Sequence, residues 1–146
     1  MAKDRSQVTP DDIRGFMPGT FPGELGIEPL EIEQDQARGR IVVDRRHLHP
    51  GGYVHGGVWT ALADTVAAWA TFRSLPAGHD FTTIELKLNV FAAGLPGDEL
   101  VATARPLHIG RNTAVLEVHV DRIRAEQRKL AAHFSVTQFV LPPREA

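Results

Sequence analysis

A chain of 146 residues, 42% hydrophobic and 23% charged, is long enough for one domain with its own apolar core. A net charge of −2 gives nucleic acid or an anionic membrane surface no electrostatic hold. The complete lack of cysteine excludes disulfides, thiolate catalysis and zinc sites of the cysteine type.

The opening "MAKDRSQVTPDD" is charge-rich and has no apolar run, so no secretory signal is expected there. No segment offers the ~20 uninterrupted apolar residues of a membrane helix. The expectation is a soluble, cytoplasmic protein. Residues 1–9 read as a flexible lead-in, 10–141 as a single domain, and 142–146 as a tail. "TPDDIRGFM" reads as a short helix in which Thr9 caps, Pro10 fits the first turn, and Asp11 and Asp12 favour the positive end. "LGIEPLEIEQ" and "ARGRIVVD" read as two strands joined by a polar turn around Gln34 to Gln36.

A Gly/His-rich loop, "RRHLHPGGYVHGG", then leads into "GVWTALADTVAAWATF". Residues 57–73 are expected to form a helix of about four turns, because alanine and leucine favour it and no proline intervenes before Pro76. The segment is apolar around most of its circumference, which calls for burial on several sides.

After "SLPAGHD" the period changes to two. In "FTTIELKLNVF", Ile84, Leu86, Leu88 and Val90 fall on one face, with Thr83, Glu85, Lys87 and Asn89 on the other. Turns at "AAGLPGD", "GRN" and "RAEQ" separate three further strands, "ELVATARPLHI", "TAVLEVHVDRI" and "RKLAAHFSVTQFV". Short connections favour antiparallel neighbours. One long buried helix with six strands implies an α+β domain in which a curved antiparallel sheet wraps the helix. A second subunit would cover what remains.

Two features carry chemistry. "HGG", His55 to Gly57, sits where the helix begins, so unpaired N–H groups and the helix dipole face outward. The Gly56 N–H could hold an oxyanion there, although two glycines could equally serve only the turn into the helix. Nine residues after His55 comes Asp64, the one ionisable group between Gly57 and Phe72. A carboxylate in apolar surroundings is costly and has a raised pKa. It persists if it is a base or nucleophile, if that helix face is wet, or if Arg73 or Lys87 pairs with it.

"HPGGYVHGGVWTALADTVAA", followed by "TTIELKLNVFAAGLPGDELVATARPLHIGRNTAVLEVHV", resembles the hotdog-fold acyl-CoA thioesterases, in particular the phenylacetate-pathway and hydroxybenzoyl-CoA type. The resemblance covers roughly residues 47–140. Its most specific element is Gly-x-x-His-Gly-Gly with an acid nine residues past the histidine, met by Gly52, His55, Gly56, Gly57 and Asp64.

The resemblance implies hydrolysis of an acyl-CoA thioester to a free acid and CoA, in a site at a dimer interface. Gly56 presents its N–H to the thioester carbonyl, with Gly57 beside it against the substrate. Asp64 of the neighbouring subunit activates water or attacks directly. His55 orients the loop or helps polarise the carbonyl. A homodimer or a dimer of dimers is implied, with no metal and no cofactor apart from the CoA that enters with the substrate.

Two departures from the family pattern bear on the site. The position six residues before the histidine, often Asn, is His49, which can still donate to a carbonyl. A hydroxyl one turn after the acid is replaced by Ala68, so the water-positioning role passes to Thr83, with Thr65 as the weaker choice. Thr83 is also an ordinary strand residue. CoA phosphates require a positive mouth, for which Arg111 in "GRN" is the first candidate and Arg105 the second.

His47, His49 and His55 could form a three-imidazole metal site, but a polar loop lining a cleft explains them without metal. His108, His119 and His133 show no partner in the sequence. Trp59, Trp69 and Phe72 read as packing residues. Two rivals remain: a non-catalytic acyl-CoA-binding module on the same fold, and a hydratase or dehydratase acting on acyl thioesters.

Overall fold

The computed structural model describes residues 4–144. Helix α1 spans Pro10–Phe16 and begins in a capping box: Thr9 Oγ1 accepts from the Asp12 N–H, and the Asp12 carboxylate accepts from the Thr9 N–H. Residues 4–9, expected as a loose lead-in, instead make a 3₁₀ turn over Arg5–Gln7, with Val8 buried and the Arg5 guanidinium 4.2 Å above the Phe72 ring. Residues 1–3 and 145–146 lie outside the described part. A one-turn helix, α2, follows at Phe21–Glu24; Thr20 caps it and Pro22 fits its first turn.

Strands β1 (Glu28–Ile32) and β2 (Ala37–Val42) form the expected pair, and α3 (Gly56–Ser74) is the expected long helix. Four longer strands follow: β3 (Asp80–Val90), β4 (Glu99–Ile109), β5 (Thr113–Arg124) and β6 (Gln127–Leu141). The sheet is antiparallel throughout, in the order β1-β2-β4-β5-β6-β3. Only eight residues join β3 to β4, yet β3 pairs with β6 at the far edge. The connection instead crosses the start of α3, where Gly94 O accepts from the Val54 N–H and Asp98 O from the Val43 N–H. Between β5 and β6 the turn is a two-residue one with both Ala125 and Glu126 at positive φ, the twist that tight hairpins favour.

The curved sheet wraps α3, whose buried residues include Val58, Leu62, Val66, Ala67, Trp69 and Ala70. Facing them are Leu100, Ala102, Ala104, Leu116, Val118, Phe134 and Val136, all of them buried. Gly39 of β2 makes the close approach possible, because a Cβ there would sit 2.6 Å from the Trp69 ring and 2.8 Å from Val66. No helix of the described residues is long and apolar enough to cross a membrane.

The period-two reading of β3 needs one correction. Thr83 pairs with Gln138 but Glu85 pairs with Thr137, so Ile84 is an extra residue and the strand bulges. Side-chain parity flips there. Thr83 and Phe81 face inward before the bulge, while Leu88 faces inward after it. Ile84 is left 58% exposed on an open sheet edge.

Candidate active site

The start of α3 is organised by His55. As N-cap, its carbonyl oxygen accepts from the Val58 N–H at 2.9 Å, and its Nδ1 accepts from the Gly57 N–H at 2.8 Å. An accepting Nδ1 places the ring proton on Nε2, which is left to donate outward. The Gly57 N–H is therefore engaged, whereas the Gly56 N–H has no partner among the described residues. Gly56 is exposed at the positive end of the helix, and nothing lies within 4 Å of a Cβ added there, so the backbone at this position is open to close approach.

Two turns on, Asp64 is half-buried on α3. The Thr83 hydroxyl donates to its Oδ1 at 2.8 Å, and that is its one hydrogen bond among the described residues. Neither Arg73 nor Lys87 pairs with it. Burial pushes the Asp64 carboxyl above the ordinary aspartate range, and the Thr83 hydrogen bond offsets only part of that. The Thr83 hydroxyl is thus engaged with the carboxylate itself. Thr65 makes no such contact.

Further along α3 lies a cavity of about 340 Å³, lined by Ile13, Phe16, Met17, Ala68, Trp69, Phe72 and Phe81. Ala68 is one helical turn beyond Asp64, and Phe81 is two residues before Thr83 on the same face of β3. The lining has no charged group. Trp69 and Phe72 therefore border an opening, beyond the packing role read from the sequence, although neither Asp64 nor Thr83 lines it. Trp59 is buried at 2% exposure against Gly94, a packing role as expected. A wider cleft of about 870 Å³ lies around Arg73 to Ala77 at the other end of α3 and contains neither Gly56 nor Asp64.

Gln138 was missed. It pairs directly with Thr83 across the β3–β6 ladder, is fully buried, and neither amide atom has a partner among the described residues. The signal was legible: Phe134, Val136, Gln138 and Val140 alternate on the inward face, and only one of them is polar.

The loop histidines separate. His47 is fully buried, with Nδ1 accepting from the Asp44 N–H and Nε2 donating to Leu25 O, so it braces the loop. His49 Nδ1 accepts from the Gly51 N–H, leaving Nε2 to donate. Arg111 is exposed in the β4–β5 turn without a partner among the described residues, while Arg105 donates to Gln36 Oε1 at 2.6 Å.

The family model of the thioesterase superfamily matches residues 51–131, more than half of the chain. The chain belongs to the thioesterase superfamily. Full-length similarity agrees: a putative esterase of Haemophilus influenzae is 32% identical over 137 residues, 94% of this chain and 96% of the relative. A 1,4-dihydroxy-2-naphthoyl-CoA hydrolase of Listeria monocytogenes is 31% identical over 96 residues, 66% of this chain and 77% of the relative. A solved thioesterase from Haemophilus influenzae, of class EC 3.1.2.-, superposes with a TM-score of 0.86 at 27% identity, over 97% of this chain and 96% of that one.

This thioesterase has the hotdog fold and is a thioester hydrolase. Its two chemical features are eight residues apart on one straight helix, about 12 Å along the axis at 1.5 Å per residue. A reacting carbonyl must lie about 3 Å from both its oxyanion donor and its nucleophile. Gly56 and Asp64 of the same chain cannot meet that condition.

Proposed function

We propose that this thioesterase hydrolyses acyl-CoA thioesters whose acyl group is uncharged and apolar, aromatic or of medium length, in a site built by two copies of the chain. The observation that carries the reading is Asp64: a half-buried carboxylate with no cation beside it among the described residues, held by one hydroxyl and one helical turn before Ala68, which lines an apolar cavity. Such a group has no structural return in a monomer and suits a base or nucleophile.

In this mechanism the Gly56 N–H of one copy, at the positive end of α3, receives the thioester oxygen as negative charge develops. His55 Nε2–H and His49 Nε2–H are the further donors that can reach toward that oxygen. Asp64 of the second copy either takes a proton from water as the water oxygen attacks the carbonyl carbon, or attacks that carbon itself to give a mixed anhydride that water then hydrolyses. In both routes the C–S bond breaks and CoA leaves as the thiol, its proton coming from the water consumed. Thr83 fixes the carboxylate so that its free oxygen faces the reaction. The open edge of β3, with Ile84 and Leu86 exposed, offers the surface on which a second copy can pair.

The acyl group is assigned to the cavity of Phe16, Trp69, Phe72 and Phe81, whose volume falls at the small end of the roughly 300–1,000 Å³ of ligand pockets. The naphthoyl-CoA activity carried by the name of the Listeria relative supports a cyclic aromatic substrate. Arg111, exposed and unpaired, is assigned to the CoA phosphates.

The test is thiol release from a panel of acyl-CoAs of equal concentration. Aromatic and medium-chain members should be turned over well ahead of acetyl-CoA and of long-chain members. Turnover of acetyl-CoA as fast as the best aromatic member would overturn the acyl assignment, and release from no member would overturn the CoA reading.

A further inference from the structure

Away from α3, the outer face of the sheet carries a cluster that thioester hydrolysis does not use. Along β5, Leu116, Val118 and Val120 point into the core, so Glu117, His119 and Asp121 point outward. On β6, His133 and Ser135 share that face, and His133 stands directly opposite His119 in the register. His133 Nε2 lies 2.9 Å from Glu117 Oε1, and His119 Nε2 lies 3.4 Å from the same oxygen. The two imidazole rings are 5.2 Å apart. One donor atom from each of the three residues lies within 4.8 Å of the others, the one such group of three among the described residues.

We propose that Glu117, His119 and His133 form a surface site for a divalent transition ion of the zinc class. Metal–ligand bonds of about 2.0–2.2 Å place tetrahedral ligand atoms roughly 3.4 Å apart. The two nitrogen–oxygen separations, 2.9 and 3.4 Å, are already close to that spacing, so small side-chain rotations would bring all three atoms onto one ion. Two imidazoles and one carboxylate suit Zn²⁺, Co²⁺, Ni²⁺ or Cu²⁺, whereas Mg²⁺ and Ca²⁺ require oxygen ligands throughout. All three side chains are about 40% exposed, so water fills the remaining coordination positions.

The surroundings allow the charge. Arg105 is opposite Glu117 on β4, but one of its guanidinium nitrogens donates to Gln36 Oε1. Asp121, one pair further along β5, is held by Arg128. Thr103 and Asn89 stand opposite the two histidines without adding charge, and Lys87, opposite Ser135 on β3, is the nearest further cation on that face in the register. The ion would tie β5 to β6 on the face opposite Asp64, so its effect is on stability. An ion that binds the folded chain and not the unfolded one raises the unfolding temperature by mass action.

The experiment titrates the metal-free full chain with Zn²⁺ by calorimetry and with Co²⁺ by visible absorption, near pH 7.5 where free imidazole is mostly neutral. One ion per chain should bind, the unfolding temperature should rise, and hydrolysis of the best acyl-CoA should not change. Mg²⁺ and Ca²⁺ should give neither effect. His119→Ala and His133→Ala should each weaken binding at least tenfold, while His108→Ala, an exposed histidine on β4, should leave it intact. Binding that survives in the His119→Ala/His133→Ala double variant overturns the proposal, as does no uptake by the unaltered chain. If the variants unfold, imidazole NMR of the unaltered chain decides, since Zn²⁺ must shift the signals of both His119 and His133. A shift of other histidines alone refutes the site.

Discussion

Two aspartates sit in apolar parts of this thioesterase and are treated in opposite ways. Asp98, in the turn before β4, is 2% exposed and receives both forks of Arg124, at 2.7 and 2.6 Å, together with the Leu95 N–H. Hydrogen bonding to Arg124 holds its carboxyl below the usual carboxylate range. Asp64 receives one hydroxyl and no cation, and burial carries its carboxyl above that range. A carboxylate that serves structure is neutralised on all sides. The one proposed to serve chemistry is left incompletely satisfied, which would keep it basic at some cost in stability.

The comparison can be broken at either end. Asp98→Ala should be the most damaging to the fold, at about 3 kcal/mol, because it removes two charge-assisted bonds and leaves the Leu95 N–H unpaired. Chemical denaturation measures this, and a loss under about 1 kcal/mol would mean that Asp98 does not anchor the turn. The pH dependence follows from the sign of the shift. Asp98 binds its proton more weakly folded than unfolded, so its contribution is full above the unfolded value and vanishes as pH falls through the folded one.

Thr83→Val sharpens the comparison by removing the one hydrogen bond among the described residues that lowers the Asp64 pKa. Turnover at neutral pH should fall about tenfold, and the acidic limb of the pH–rate profile should move to higher pH. An unmoved limb would show that the hydroxyl does not act on Asp64. A smaller effect is expected on stability in Asp64→Asn, a gain of about 1 kcal/mol at neutral pH. Here the sign is reversed: Asp64 binds its proton more tightly when folded, so the charged form weakens the fold above the raised pKa. The gain should shrink as pH falls through that value. The smallest change is expected from Gln138→Met, which replaces an unpartnered buried amide by an apolar chain and should stabilise by about 1 kcal/mol or less. A loss of stability would mean that the amide is bonded in the assembled protein.

Much of this was legible in the sequence. The all-round apolar character of 57–73 gave the buried helix, and the lone Asp64 within it marked the half-buried carboxylate on which the proposed chemistry rests. The sheet order was not legible, since β3 leaves its sequence neighbour β4 for β6 and local pattern carries no such information. The bulge at Ile84 was equally hidden, because strict alternation put Thr83 on the face opposite Leu88. Asp98 was passed over as one more turn residue. Its partner Arg124 is 26 positions away, and pairing over that distance is a property of the fold. Within "HGG" the residues were visible but their division of labour was not. Only the geometry shows that His55 occupies the Gly57 N–H and leaves that of Gly56 open.

The central claim is that the unsatisfied Asp64 carboxylate performs the hydrolysis, and its most direct test is the turnover of Asp64→Asn on the best acyl-CoA of the panel. The account predicts a loss of roughly 10²–10⁴-fold in kcat in a protein at least as stable as the parent. Turnover within a few-fold of the parent, by a folded Asp64→Asn protein, would contradict it.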